Sequence, residues 1–135
     1  MKKFIFACIL GALTFGMHAQ ELTASGQEIL SSNSPISIKA AIEMSQYHAP
    51  LAALHFRDAK KVKTWNVVWA ALGGWEFGAG AINLSYGYTI GVLDMGIGAG
   101  LCVLSFSGKR KARIINSVRL GVEEYNKSLQ SKEAQ

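Results

Sequence analysis

Residues 64–82 read TWNVVWAALGGWEFGAGAI and residues 88–106 read YTIGVLDMGIGAGLCVLSF. Asn83-Leu84-Ser85-Tyr86-Gly87 separates these two apolar, glycine-rich runs, and their only charged side chains are Glu76 and Asp94. Lys60, Lys61 and Lys63 precede the first run; Lys109, Arg110, Lys111 and Arg113 follow the second. At 1.5 Å per residue an α-helix over either run covers roughly 27 Å, close to the thickness of a bilayer's hydrocarbon core. Neither run alternates polar and apolar residues, as a half-exposed strand would. The reading is an all-α membrane protein: an antiparallel two-helix transmembrane hairpin flanked by amphipathic helices. The competing reading is a soluble β-rich hairpin, for which Val67, Val68, Val92 and Val103 suit strands and the glycines suit turns.

The rest of the chain is assigned outward from this hairpin, at 64–108. Lys2 and Lys3 followed by the apolar stretch Phe4–Gly16 have the form of a secretory signal, with cleavage expected after Ala19. Residues 20–33, rich in Ser, Gln and Glu, are expected to be a flexible leader. Residues 34–63 are expected to form amphipathic helices, the first starting at Ser34-Pro35 and a second following the bend imposed by Pro50. Residues 109–135 are expected to form a C-terminal amphipathic helix and tail. There Ile114, Val118, Val122, Tyr125 and Leu129 recur at helical spacing. Basic residues at the start of that helix and acidic ones near its end oppose the helix dipole. The basic residues are better explained by lipid phosphate nearby.

Composition narrows the function classes. The chain has 135 residues, 50% of them apolar, with a net charge of +5. Removing residues 1–19 takes Lys2 and Lys3, leaving twelve Lys and Arg against nine Asp and Glu, and leaves Cys102 as the single cysteine. One cysteine makes no intrachain disulfide, and Cys102 in an apolar run reads as a small packing residue. No nucleophile–base pair stands out. Gly96-Ile97-Gly98-Ala99-Gly100 lacks the Lys-Ser/Thr of a phosphate-binding loop. The basic clusters lack the interleaved aromatics of a nucleic-acid surface. His48 and His55 are split by Pro50 and make a poor metal pair. No catalytic residue, metal or cofactor is expected.

Three groups of residues are the candidate sites. Glu76 and Asp94 each lie six residues from the turn side of their runs, which would place both roughly 9 Å in, at one depth. Acids inside a membrane face the bundle interior, pair or bind a cation, so these two are the candidate ion or proton site. Gly74 and Gly78, Gly87 and Gly91, and Gly96 and Gly100 are spaced by four and are the candidate helix-packing residues. Lys60, Lys61, Lys63, Lys109, Arg110, Lys111 and Arg113 are the candidate lipid-headgroup contacts.

The layout resembles small, uncharacterised bacterial proteins with a signal peptide and a paired glycine-rich transmembrane hairpin. The residues that carry this are Ala59-Lys60-Lys61-Val62-Lys63, Gly96–Gly100, Ser107-Gly108-Lys109-Arg110-Lys111 and Glu124-Tyr125-Asn126. The resemblance covers about residues 45–130 and implies no assigned activity.

The expected function is therefore that of a non-enzymatic, exported membrane hairpin with a structural role, partnered by membrane lipid and by copies of itself. The alternatives are a small ion- or proton-conducting or pore-forming element using Glu76 and Asp94, and a secreted soluble interaction domain. The two basic flanks fall on one side of the hairpin, which the positive-inside rule would keep in the cytoplasm. Export places the same residues outside, so which membrane holds the hairpin stays open at this level.

Overall fold

The computed structural model describes residues 20–133. The expected signal peptide, residues 1–19, lies outside the described residues. The chain runs β1 (Leu22–Ser25), β2 (Glu28–Ser31), β3 (Ser34–Ile36), α1 (Ile38–Ser45), α2 (Pro50–Ser85), α3 (Gly91–Ser105) and α4 (Gly108–Glu133).

The first three elements correct the all-α expectation. They form an antiparallel sheet in the order β1-β2-β3, with Leu22 opposite Ser31 and Leu30 opposite Pro35. Residues 20–33 are therefore not a leader without structure, and Ser34-Pro35 starts a strand instead of a helix. Two-residue turns explain the sheet. Gly26 takes φ +61° between β1 and β2, and Ser32 and Asn33 take φ 48° and 63° between β2 and β3. Positive φ at the first or at both central residues gives the turn twist that matches paired strands. Pro35 is tolerated because β3 is an edge strand. Leu22, Ile29 and Ser31 share the buried face. Helix α1 begins after Ser37, whose Oγ accepts from the Ala40 N–H at 3.0 Å.

Helix α2 has 36 residues and opens on Pro50, where Ala49 lies outside the helical region (φ −144°, ψ 71°). Its first half belongs to a head with a packed core. There Ala52, Phe56 and Ala59 meet Ile114, Val118, Val122 and Tyr125 of α4, and Leu22, Ile29 and Ala41 complete the cluster. The apolar stripe of α4 is thus spent inside the chain. Gly121 lies against the Phe56 ring, where an added Cβ would come within 2.5 Å of Cε1.

Beyond Trp65, α2 leaves the head and pairs with α3, forming an apolar prong. The expectation of two membrane-spanning helices is also corrected. Among the described residues, one helical stretch, Gly91–Lys132, is long and apolar enough to cross a membrane by length and composition. Its apolar window has a mean hydropathy of 1.5, with 17% of that window buried. This stretch is α3 and α4 in succession, broken at Phe106-Ser107. The first run falls short because Trp65, Asn66, Glu76 and its glycines lower its hydropathy. Residues 64–108 also do not stand apart as a unit, since α2 runs unbroken from head to prong.

Candidate functional site

Packing in the prong is set by glycine at a spacing of seven. Gly73, Gly80, Gly91, Gly98 and Ser105 are its buried positions. A Cβ at Gly73 would lie 2.7 Å from the Gly98 carbonyl oxygen, and one at Gly80 would lie 2.6 Å from that of Gly91. A Cβ at Gly98 would run into the backbone of Phe77. The two backbones are in direct contact, a closeness that only glycine permits. Cys102 fits beside Gly73, with its thiol 3.9 Å from the Ala70 carbonyl. Of the expected packing glycines, Gly91 lies in this seam. Gly74, Gly78, Gly96 and Gly100 face open space, and Gly87 sits in the turn at φ +84°. A seven-residue repeat keeps one seam facing the partner over several turns, as in a left-handed helix pair.

The outside of the prong is the reverse of its inside. Among the described residues, every large hydrophobic residue that is exposed, apart from Tyr47, Leu51 and Leu54, lies between Trp65 and Phe106. Val67, Leu72 and Trp75 on α2 and Val92, Ile97 and Val103 on α3 all point outward, with Trp75 76% exposed. Tyr86 and Tyr88 stand exposed at the tip.

Glu76 and Asp94 are not brought together. Asp94 accepts a hydrogen bond from Asn83 Nδ2 at 3.0 Å. Asn83 is seven residues beyond Glu76 on α2, a rise of roughly 10 Å. The expected common depth fails because α2 continues to Ser85 while α3 begins only at Gly91. Glu76 is therefore nine residues from its helix end, and Asp94 is in the first turn of its own.

At the junction of head and prong the basic residues form a collar. Lys60, Lys61, Lys63, Lys109 and Lys111 are exposed, whereas Arg110 is half-buried. On one side the collar opens into a cleft of about 290 Å³ lined by Asp58, Lys61, Trp65, Trp69, Arg110 and Arg113, among others. Trp65 and Trp69, one turn apart, form one wall with ring centroids 6.1 Å apart. Arg113 donates to both oxygens of Asp58, at 2.8 and 3.3 Å, and Ser117 Oγ donates to the same carboxylate at 2.9 Å. These bonds, Arg113 first, hold the Asp58 carboxyl below its ordinary range against the opposing effect of burial. Arg110 donates to Asn66 Oδ1 at 3.3 Å and, among the described residues, has no carboxylate partner. Sequence reasoning missed Asp58 as the link between α2 and α4. The available signal was its position one turn before the Lys60-Lys61 pair, which made a basic partner plausible but did not select Arg113.

Lys132 Nζ lies 3.0 Å from His48 Nδ1. Among the described residues, no three His, Cys, Asp or Glu side chains converge as a metal ion would require. No protein-family model, curated protein or solved structure matches the chain.

Proposed function

We propose that this is a non-catalytic protein of the cell envelope that seats its apolar prong in lipid and holds its head at the membrane surface. The observation that carries this reading is the inversion of size and polarity in the prong. Glycine fills the seam, and Trp, Phe, Val, Leu and Ile cover the outside. In water a helix pair buries its large apolar residues and exposes polar ones. An exposed apolar surface much larger than a few hundred Å² marks contact with a partner or a membrane. In lipid nothing is gained by hiding leucine, and close glycine packing supplies the attraction between helices. The basic collar lies where headgroup phosphates would be. Export is supported by the sequence of residues 1–19. A structural role, including self-association, fits a helix pair whose seam is glycine and whose outer face is apolar. The conducting alternative draws less support, because Glu76 and Asp94 are apart and Asp94 is already bonded to Asn83.

The test is quenching by brominated lipid in a variant that keeps Trp75 and carries Phe at Trp65 and Trp69. Reconstituted in phosphatidylcholine vesicles, Trp75 should be strongly quenched by acyl-chain bromine, and the protein should resist carbonate extraction. A protein that stays in the soluble fraction with unquenched Trp75 defeats the proposal and favours a secreted interaction domain.

A further inference from the structure

The collar is not a uniform ring of charge, and the cleft beside Trp65 and Trp69 differs from the rest of it. Its cations converge from two helices, with Lys61 on α2 and Arg110 and Arg113 on α4. The one carboxylate in the cleft, Asp58, is already engaged by Arg113 and Ser117. Three cations face one carboxylate, so the cleft keeps a net positive charge; Lys61 lies within the field of Asp58, and among the described residues Arg110 has no carboxylate partner. A guanidinium has five N–H donors in a fixed fork that matches the oxygens of a phosphate. Asn66 accepts from one nitrogen of Arg110, which orients the fork and leaves other donors free. The lysines elsewhere on the collar are exposed, and they attract anions as point charges.

The tryptophan wall gives the cleft its polarity. Trp65 and Trp69 lie at the start of the apolar prong, so one side of the cleft is apolar while the other is cationic. A ligand filling it would carry a phosphate at one end and hydrocarbon or glycerol at the other. Its volume of about 290 Å³ is at the small end of ligand pockets and suits a headgroup better than a whole lipid.

We propose that this cleft binds the phosphodiester headgroup of an anionic membrane lipid, with Arg110 and Lys61 on the phosphate and Trp65 and Trp69 against the glycerol end. The proposal rests on the membrane seating argued above and names the lipid class that the seating selects. Asp58 is a positioning residue: it holds Arg113 and so shapes the cleft wall.

The experiment uses the full chain in phosphatidylcholine vesicles titrated with phosphatidylglycerol, reading spin-labelled lipid immobilised at the protein. Wild type should prefer phosphatidylglycerol in a saturable manner. Arg110→Gln should weaken that preference about tenfold, the low end for hydrogen bonds to a charged group. Arg110→Lys should recover part of it. Lys63→Gln with Lys111→Gln removes two collar charges outside the cleft and should change the saturable preference less than twofold. Lys61→Gln, at an exposed side chain, repeats the test where Arg110→Gln disturbs folding. Equal losses in the cleft and collar variants would mean diffuse attraction and overturn the site. Competition by inorganic phosphate as effective as by the lipid would assign the cleft to a soluble anion and overturn the lipid proposal. Protein that fails to float with pure phosphatidylcholine vesicles would defeat the membrane seating itself, a result distinct from the other two.

Discussion

Asn126 on α4 completes the hydrogen bonding of Leu22 on β1. The Leu22 N–H donates to Asn126 Oδ1 at 3.0 Å, and Asn126 Nδ2 donates to the Leu22 carbonyl at 2.8 Å. One amide side chain thus does for the outer edge of β1 what another strand would do, and it fixes the sheet to the C-terminal helix 104 residues away. Leu22 itself is fully buried, so its backbone groups have little access to water.

Asn126→Ala is therefore expected to destabilise the head by about 1–3 kcal/mol, the cost of losing two hydrogen bonds and leaving a buried strand edge unpaired. Asn126→Asp keeps the acceptor but sets a carboxylate against the Leu22 carbonyl and beside Glu21, and should cost at least as much as alanine at neutral pH. Hydrogen exchange at Leu22 and at its partner strand should rise in both, ahead of exchange in α4. Unchanged protection at Leu22 would show that β1 is held by its side chain alone.

The glycine seam yields opposite expectations for neighbouring residues. Gly98→Ala and Gly80→Ala drive a Cβ into backbone atoms that cannot give way, and each should weaken the α2–α3 contact by about 1–3 kcal/mol. Gly74→Ala and Gly96→Ala enter open space within helices and should be neutral or stabilising by up to about 1 kcal/mol. Thermal unfolding of the purified protein in detergent, followed by circular dichroism, separates the two classes. Similar melting temperatures for Gly98→Ala and Gly96→Ala would refute the seven-residue seam.

These cases show what the sequence reveals and what it hides. The two apolar runs read correctly as helices, and Pro50 marks the start of α2, because both signals are local. The stripe from Ile114 to Leu129 identifies the packed face of α4, but its partner is the first half of α2 and not lipid. The strands were hidden because β1 and β2 are four residues each, only half of them apolar, and their anchoring comes from Asn126, far along the chain. The glycine register was hidden because spacings of four and of seven coexist in the same runs. Only the pairing of α2 with α3 decides which spacing is used. The shared depth of Glu76 and Asp94 failed for a related reason, since it assumed that both helices stop equally far from the turn.

Asn83 and Asp94 tie the two helices near the tip. Asn83→Ala should loosen the turn at Tyr86–Ile90 without opening the seam below it, raising proteolysis at the tip in detergent while leaving the melting temperature within about 4 °C, an effect of about 1 kcal/mol in a chain of this size. Asp94→Asn preserves a hydrogen-bonding side chain and should leave proteolysis near the wild-type level. Enhanced ion flux through vesicles with either variant would instead revive a conducting role for Asp94.

The Asp58–Arg113 link gives the head a dependence on acid. The folded-state pKa of Asp58 is depressed by the Arg113 and Ser117 hydrogen bonds. Its contribution is therefore fully present above the ionisation range of an unfolded aspartate, about pH 3.9, and is lost as pH falls through the lower folded value. The pair is partly exposed, with the Arg113 side chain 64% accessible and that of Asp58 34%, so solvent screening limits it to about 1 kcal/mol. Asp58→Asn should lower stability at pH 7 by that order and flatten the loss of stability between about pH 5 and pH 2. Arg113→Gln should do the same, and the double variant should add little to either single one, because both act on one interaction. Denaturant titrations of the three variants across that range provide the check. Additive losses would show that Asp58 and Arg113 stabilise the head through separate contacts, leaving the α2–α4 junction without the clamp that fixes one wall of the cleft.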